Sequence, residues 1–148
     1  RTSGLFAQWQ ERFRTVPDEL AERWIEDAAL TWGGFAAASL LTVARPGERL
    51  ALVERMADDA GRVVRIVFLL NRAWPPTAKR LAARTATLPV RPDRLAERIE
   101  EALTEPDPVR ALLAMTELQA DTAALAPDVP NIVRARTWLA EGIEILHR

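Results

Sequence analysis

The residues of this chain best suited to chemistry stand together where a long apolar run meets two prolines: Asn71 and Arg72, then Trp74, then Lys79 just past Pro75 and Pro76. An amide, a planar guanidinium and a mobile ammonium are groups that grip phosphate or carboxylate oxygens, the guanidinium through paired N–H bonds and the ammonium as a point charge. Phosphoryl and nucleotidyl transfer needs such cations against the charge that develops on phosphate oxygens. The neighbourhood reinforces this. Residues 62–98 hold nine basic residues against Asp93 and Glu97, a local net charge of +7, whereas residues 1–61 carry −3 and residues 99–148 carry −5. The same basic stretch is equally suited to docking the acidic surface of a partner. Asn71 also has a purely architectural reading. It follows Val64 and Val67 on one helical stripe, and a buried amide must be hydrogen-bonded or cost ~1–3 kcal/mol, so it can serve to tie down the corner. Arg72 continues the stripe of Asp58, Arg62 and Arg65, toward water or a cleft, and Trp74 is expected to pack over the corner while its N–H finds a partner.

Paired carboxylates occur at Asp18-Glu19, Glu26-Asp27, Asp58-Asp59 and Glu100-Glu101. Sequence neighbours on a helix point about 100° apart, which makes them poor acid/base couples and common decorations of a wet face. Glu26-Asp27 and Asp58-Asp59 remain usable as anchors for a cationic substrate or a partner domain. Other chemistries lack their groups. His147 is the only histidine and sits one residue from the C-terminus, so no histidine-based triad can be assembled. With no Cys there is no thiolate metal site or disulfide framework. Gly33-Gly34 lacks the spacing of a phosphate loop.

These groups depend on helices for their placement. From Leu50 through Val64, apolar residues recur at helical spacing with Glu54, Arg55, Asp58, Asp59 and Arg62 mostly opposite. From Val63 to Leu70 only Arg65 interrupts the apolar run, so this end must be enclosed by other helices, and Pro75-Pro76 are expected to stop it. Ser3 opens a first helix to about Arg14 whose face of Leu5, Phe6, Trp9 and Phe13 is expected to meet the core. Thr15, with Pro17, Asp18 and Glu19, starts a second through Trp24 and Ala28 toward Gly33-Gly34. A small-residue helix over FAAASLLTVA, 35–44, follows. Thr77 is placed to cap a short helix carrying Lys79 and Arg84, and Asp93 or Pro92 to open one with Leu95, Ile99 and Leu103 inward. Asp107-Pro108 starts a helix with Val109, Leu112, Leu113, Thr116 and Ala120 inward. Asp128 and Pro130 start the last, with Ile132, Ala135, Leu139, Ile143 and Leu146 inward. No alternating strand pattern occurs. The expected fold is all-α, an antiparallel bundle of about seven or eight helices.

At 148 residues and 49% hydrophobic content, one domain with one sizeable core is expected. The formal net charge of −1 gives no general reason to expect nucleic acid or an anionic membrane as partner. No apolar run reaches the ~20 residues of a membrane helix, and a cytoplasmic protein is expected. The chain begins Arg1-Thr2-Ser3 without Met, as the later part of a longer polypeptide does.

The order L-N-R-x-W-x-P-x-x-K at Leu70, Asn71, Arg72, Trp74, Pro76 and Lys79, after a long apolar helix and Trp-bearing helices upstream, resembles the C-terminal helical domain that follows the palm in nucleotidyltransferases. The group is that of kanamycin nucleotidyltransferase and its bacterial relatives, and the likeness is clearest from about Pro17 to Leu88. It implies a helical domain that closes the cleft and shapes the acceptor site, while a palm domain in cis holds Mg-ATP or another NTP. Nucleoside monophosphate would pass to a small-molecule or protein hydroxyl. The expected nucleotide-facing residues are then Asn71, Arg72 and Lys79, and the residues read above from their positions, Glu26, Asp27, Arg65 and Trp74, are expected to face the acceptor. No palm motif is present in these 148 residues, so the chain is expected to be inactive in isolation, with a homodimer left open. The competing expectation is a helical ligand-binding or protein-interaction module without catalysis.

Overall fold

Helical apolar spacing and proline at helix starts divide the chain into rods. A computed structural model describes residues 3–32, 47–77 and 79–148. Among the described residues there are seven helices and no strand: α1 (Ser3–Arg12), α2 (Asp18–Ala29), α3 (Arg49–Leu70), α4 (Leu81–Ala86), α5 (Leu95–Thr104), α6 (Pro108–Leu125) and α7 (Pro130–Leu146). The protein is an all-α bundle, as its periodicity requires. The helix expected over 35–44 lies outside the described residues, as does the Gly33-Gly34 break.

The long α3 is the spine: α2, α4, α5 and α6 all pack on it, while α7 closes the bundle against α2 and α6. Its last two turns are enclosed as the narrowing polar face demands. Val63, Val64, Ile66, Val67, Phe68 and Leu69 are buried, and only Arg65 points out. They join Ile25, Trp32, Leu118, Ile132 and Leu139 in the main core, and Leu52, Met56 and Ala60 form a second cluster with Ala102, Ala111 and Met115. Toward its start, α3 is rotated from the expected register. Leu50 and Val53 stay 81% and 43% exposed, whereas Leu52 and Asp59 are buried. An amphipathic stripe of two adjacent rows leaves the choice of row to the neighbour that packs on it.

Asp59, expected on the wet face, is 5% exposed. One carboxylate oxygen accepts from Arg55 Nε at 2.8 Å, and the other finds no partner among the described residues. Burial pushes its pKa up against the opposing pull of the Arg55 charge. Because the folded state holds this proton more tightly than the unfolded chain, protonated Asp59 contributes stability that is fully present below the unfolded pKa and lost as pH rises through the folded one. Urea unfolding of the wild type and Asp59→Asn should therefore show the wild type gaining on the variant as pH falls from about 7 to about 4. A difference independent of pH over that range would mean that Asp59 titrates as an ordinary carboxylate.

The helix starts show which sequence signals survive tertiary context. Asp107 caps α6, accepting from the backbone N–H of Val109 at 2.9 Å and of Arg110 at 3.0 Å, with Pro108 in the first turn. Thr15 does not cap α2, because Pro17 itself occupies that position, and Thr77 does not cap α4. There Arg80 precedes the helix in the left-handed conformation, and Arg94 does the same for α5 in place of Asp93 or Pro92. Asp128 lies one residue too early for α7 and pairs with Arg136. Of the inward positions expected on α6, Leu112 and Thr116 are buried while Val109 is 38% exposed; on α7, Ile132, Ala135 and Leu139 are buried.

The apolar face of α1 is real but is not part of the core. Leu5, Phe6, Trp9 and Phe13 remain 61, 66, 56 and 46% exposed, and no described helix packs on α1. Periodicity shows that a face is apolar and leaves open what covers it.

Candidate ligand cavity beside the corner of the central helix

The corner that follows α3 is built by backbone geometry before the prolines are reached. Asn71 ends the helix and Arg72 adopts a left-handed φ of 54°. The N–H of Ala73 then bonds Phe68 O at 2.9 Å and that of Arg72 bonds Leu69 O at 3.0 Å, the paired bonds that close a helix through a left-handed residue. Glycine is the usual occupant of that position. An arginine there costs ~1–2 kcal/mol of backbone strain, offset by its other bonds. The helix ends at Leu70, five residues before Pro75, so the prolines stiffen the exit and do not themselves break the helix.

The polar groups of Asn71, Arg72 and Trp74 are committed. The Asn71 amide donates to Val67 O and to Val90 O, both at 2.7 Å, and its carbonyl accepts from Val90 N at 2.9 Å. It is a clip that holds the 87–93 link onto the end of α3. Arg72 reaches the start of α2, with Nε 2.8 Å from Asp18 Oδ1 and Nη1 donating to Asp18 O at 3.3 Å, while its own carbonyl accepts from Val16 N at 2.8 Å. The left-handed turn takes it off the Asp58, Arg62 and Arg65 stripe. Trp74 satisfies its indole N–H by donating to Phe13 O at 2.7 Å, which also anchors the end of α1. Lys79 is exposed and makes no hydrogen bond or ion pair with a described residue.

The concavity lies one turn back and across. A cavity of about 450 Å³ is lined by Trp24 and Asp27 of α2, Arg65 of α3, and Trp74 and Pro75 of the corner. Its aromatic wall is an edge-on pair, Trp24 and Trp74, with ring centroids 5.8 Å apart and planes at 70°. The register of α2 on α3 is set next door. Arg62 pairs with Asp58 at 2.7 Å and donates to Ala28 O at 3.3 Å. That leaves Arg65 and Asp27 with exposed side chains that bond to no described residue.

Of the residues singled out from the sequence, Asp27, Arg65 and Trp74 thus share one cavity. Asn71, Arg72 and Lys79 do not line it. Glu26 does not line it either, and its backbone carbonyl accepts from Asn131 of α7 at 3.0 Å. Trp24 and Pro75 are the lining residues not named as a site from sequence, and of the two Trp24 is the one whose position could have been read. Its spacing three residues before Asp27 is the signal that was available, since i and i+3 share a helix face. Among the described residues no group of three or more His, Cys, Asp or Glu is placed to hold a metal ion. Asn71 and Arg72 are bonded to protein partners among the described residues. No described helix is long and apolar enough to cross a membrane. Comparison with known protein families, curated proteins and solved structures finds no match for this chain.

Proposed function

We propose that this chain is a helical ligand-binding domain whose cavity, walled by Trp24 and Trp74 and charged by Asp27 and Arg65, holds a small molecule. The single observation that carries this reading is that these groups converge on a space of about 450 Å³, within the range of small-molecule sites. The order of residues from Leu70 to Lys79 supports the further reading that the ligand is the acceptor of a nucleotidyltransferase, the helical domain closing the cleft over it. Under that reading a palm domain in cis supplies the metal and the nucleotide, Lys79 is the cation still free to approach them, and the chain alone catalyses nothing.

A thermal-shift titration with Mg-ATP tests the transferase context, because a ligand of the native state raises stability by mass action. The chain joined to its palm should be stabilised and the helical chain alone should not. Stabilisation of neither, or of the helical chain alone, removes that context. Two observations favour the second reading, a non-enzymatic ligand-binding or interaction module. Asn71 and Arg72 are bound up in architecture, and α1 presents Leu5, Phe6, Trp9 and Phe13 with no described helix on them. Under it, Lys79→Ala in the palm-containing protein leaves nucleotide use unchanged, whereas the transferase reading expects a loss.

A further inference from the structure

We infer that the cavity selects an amphoteric ring molecule, one that carries an anionic group for Arg65, an ammonium for Asp27 and a flat body for the two indoles. The inference rests on the reading that this cavity is the ligand site, and adds the class of ligand. Its basis is a pair of opposite charges left unspent. Three ion pairs form on α3 and its corner: Arg62 with Asp58, Arg72 with Asp18, Arg55 with Asp59. Arg65 and Asp27 line one cavity, yet form no ion pair with each other or with any described residue. Two opposite charges held apart across a concavity make a field complementary to a molecule whose own charges run the other way. A guanidinium favours carboxylate or phosphate through charge-assisted bonds. An ammonium gains from the Asp27 carboxylate and from the faces of the adjacent indoles. The edge-on arrangement of Trp24 and Trp74 offers a ring edge and a ring face, which suits a planar guest.

Other features of the molecule lead less far. The recess beside α4 and α5 has Arg91 and Arg94 in its lining, but Arg91 bonds Leu88 O, Arg94 pairs with Glu101, and Glu97 shares the lining. The apolar face of α1 has no described partner to show its occupant.

Calorimetric titration with four related probes decides the matter: L-tryptophan, which has both charges; tryptamine, which lacks the carboxylate; indole-3-propionate, which lacks the ammonium; and indole, which lacks both. L-tryptophan should bind tightest, with each single-charge probe weaker by roughly five- to tenfold, as one partly exposed charged contact is worth. Arg65→Gln should erase the advantage of L-tryptophan over tryptamine, and Asp27→Asn its advantage over indole-3-propionate. Both positions are exposed, so both variants should melt as the wild type does. If indole binds as well as L-tryptophan, the cavity takes rings without reading charge; the inference falls and the ligand-site reading survives. Should no probe bind at millimolar concentration, both fall.

Discussion

Phe68→Ala is expected to destabilise the protein by about 3–5 kcal/mol, the usual cost of emptying a buried phenyl site, and to lower the melting temperature by roughly 10 °C. Phe68 is 2% exposed in the main core, at the enclosed end of α3. Its backbone carbonyl also receives the N–H groups of Asn71 and Ala73, which close the helix, and the Arg84 guanidinium lies 5.4 Å from its ring centroid. Removing the ring opens a cavity in the main core at the enclosed end of α3. The cation–π contact adds only about 0.5–1 kcal/mol, so most of the effect is packing. Against a typical total stability of about 5–15 kcal/mol, such a loss brings a domain near its threshold. Equilibrium urea unfolding measures it, with Leu50→Ala as the reference. Leu50 is 81% exposed, and its truncation should stay within about 0.5 kcal/mol. Equal costs at the two positions would contradict the burial pattern of α3.

Asn71→Ala should cost about 2–3 kcal/mol, because it removes three hydrogen bonds at once and leaves Val90 N, Val90 O and Val67 O to find water from a half-buried site. Asn71→Asp should do no better, since a carboxylate can accept from Val90 N but faces the two carbonyls with no donor. Arg72→Ala provides the contrast. Its ion pair with Asp18 is partly exposed, and such pairs contribute ~0–1 kcal/mol. Hydrogen exchange at the Val90 amide locates the effect: Asn71→Ala should expose it, and Arg72→Ala should not. An Asn71→Ala protein of unchanged stability and unchanged Val90 protection, but with impaired ligand binding, would overturn the clip and return Asn71 to the site.

The bond network explains why the corner invites a chemical reading from its letters. Asn, Arg and Trp in close succession are the residue types of a phosphate or substrate site, and they are also what a tight exit from a buried helix uses to satisfy its backbone. Sequence identity does not separate the two. The deciding fact is where each donor points, and that depends on the left-handed φ of Arg72 and on the 87–93 link arriving within reach of Asn71. Arg65, by contrast, interrupts an apolar run and is expected from sequence to face the acceptor. The same burial that encloses its neighbours leaves it lining a cavity with Trp24 and Asp27, with no partner among the described residues.

Periodicity and proline placement were enough to determine that this protein is built from helices, that the run from Val63 to Leu69 lies at its centre, and that Asp107 starts a helix, because these follow from interactions within a few turns of one rod. Which row of α3 is buried, where Asp59 resides and which polar residues share a cavity were settled only by the packing of one helix on another. Local spacing defines the faces of a rod, but the rotation of that rod against its neighbours is set by contacts between residues far apart in the chain, and a few tens of degrees of rotation exchange a core position for a binding one.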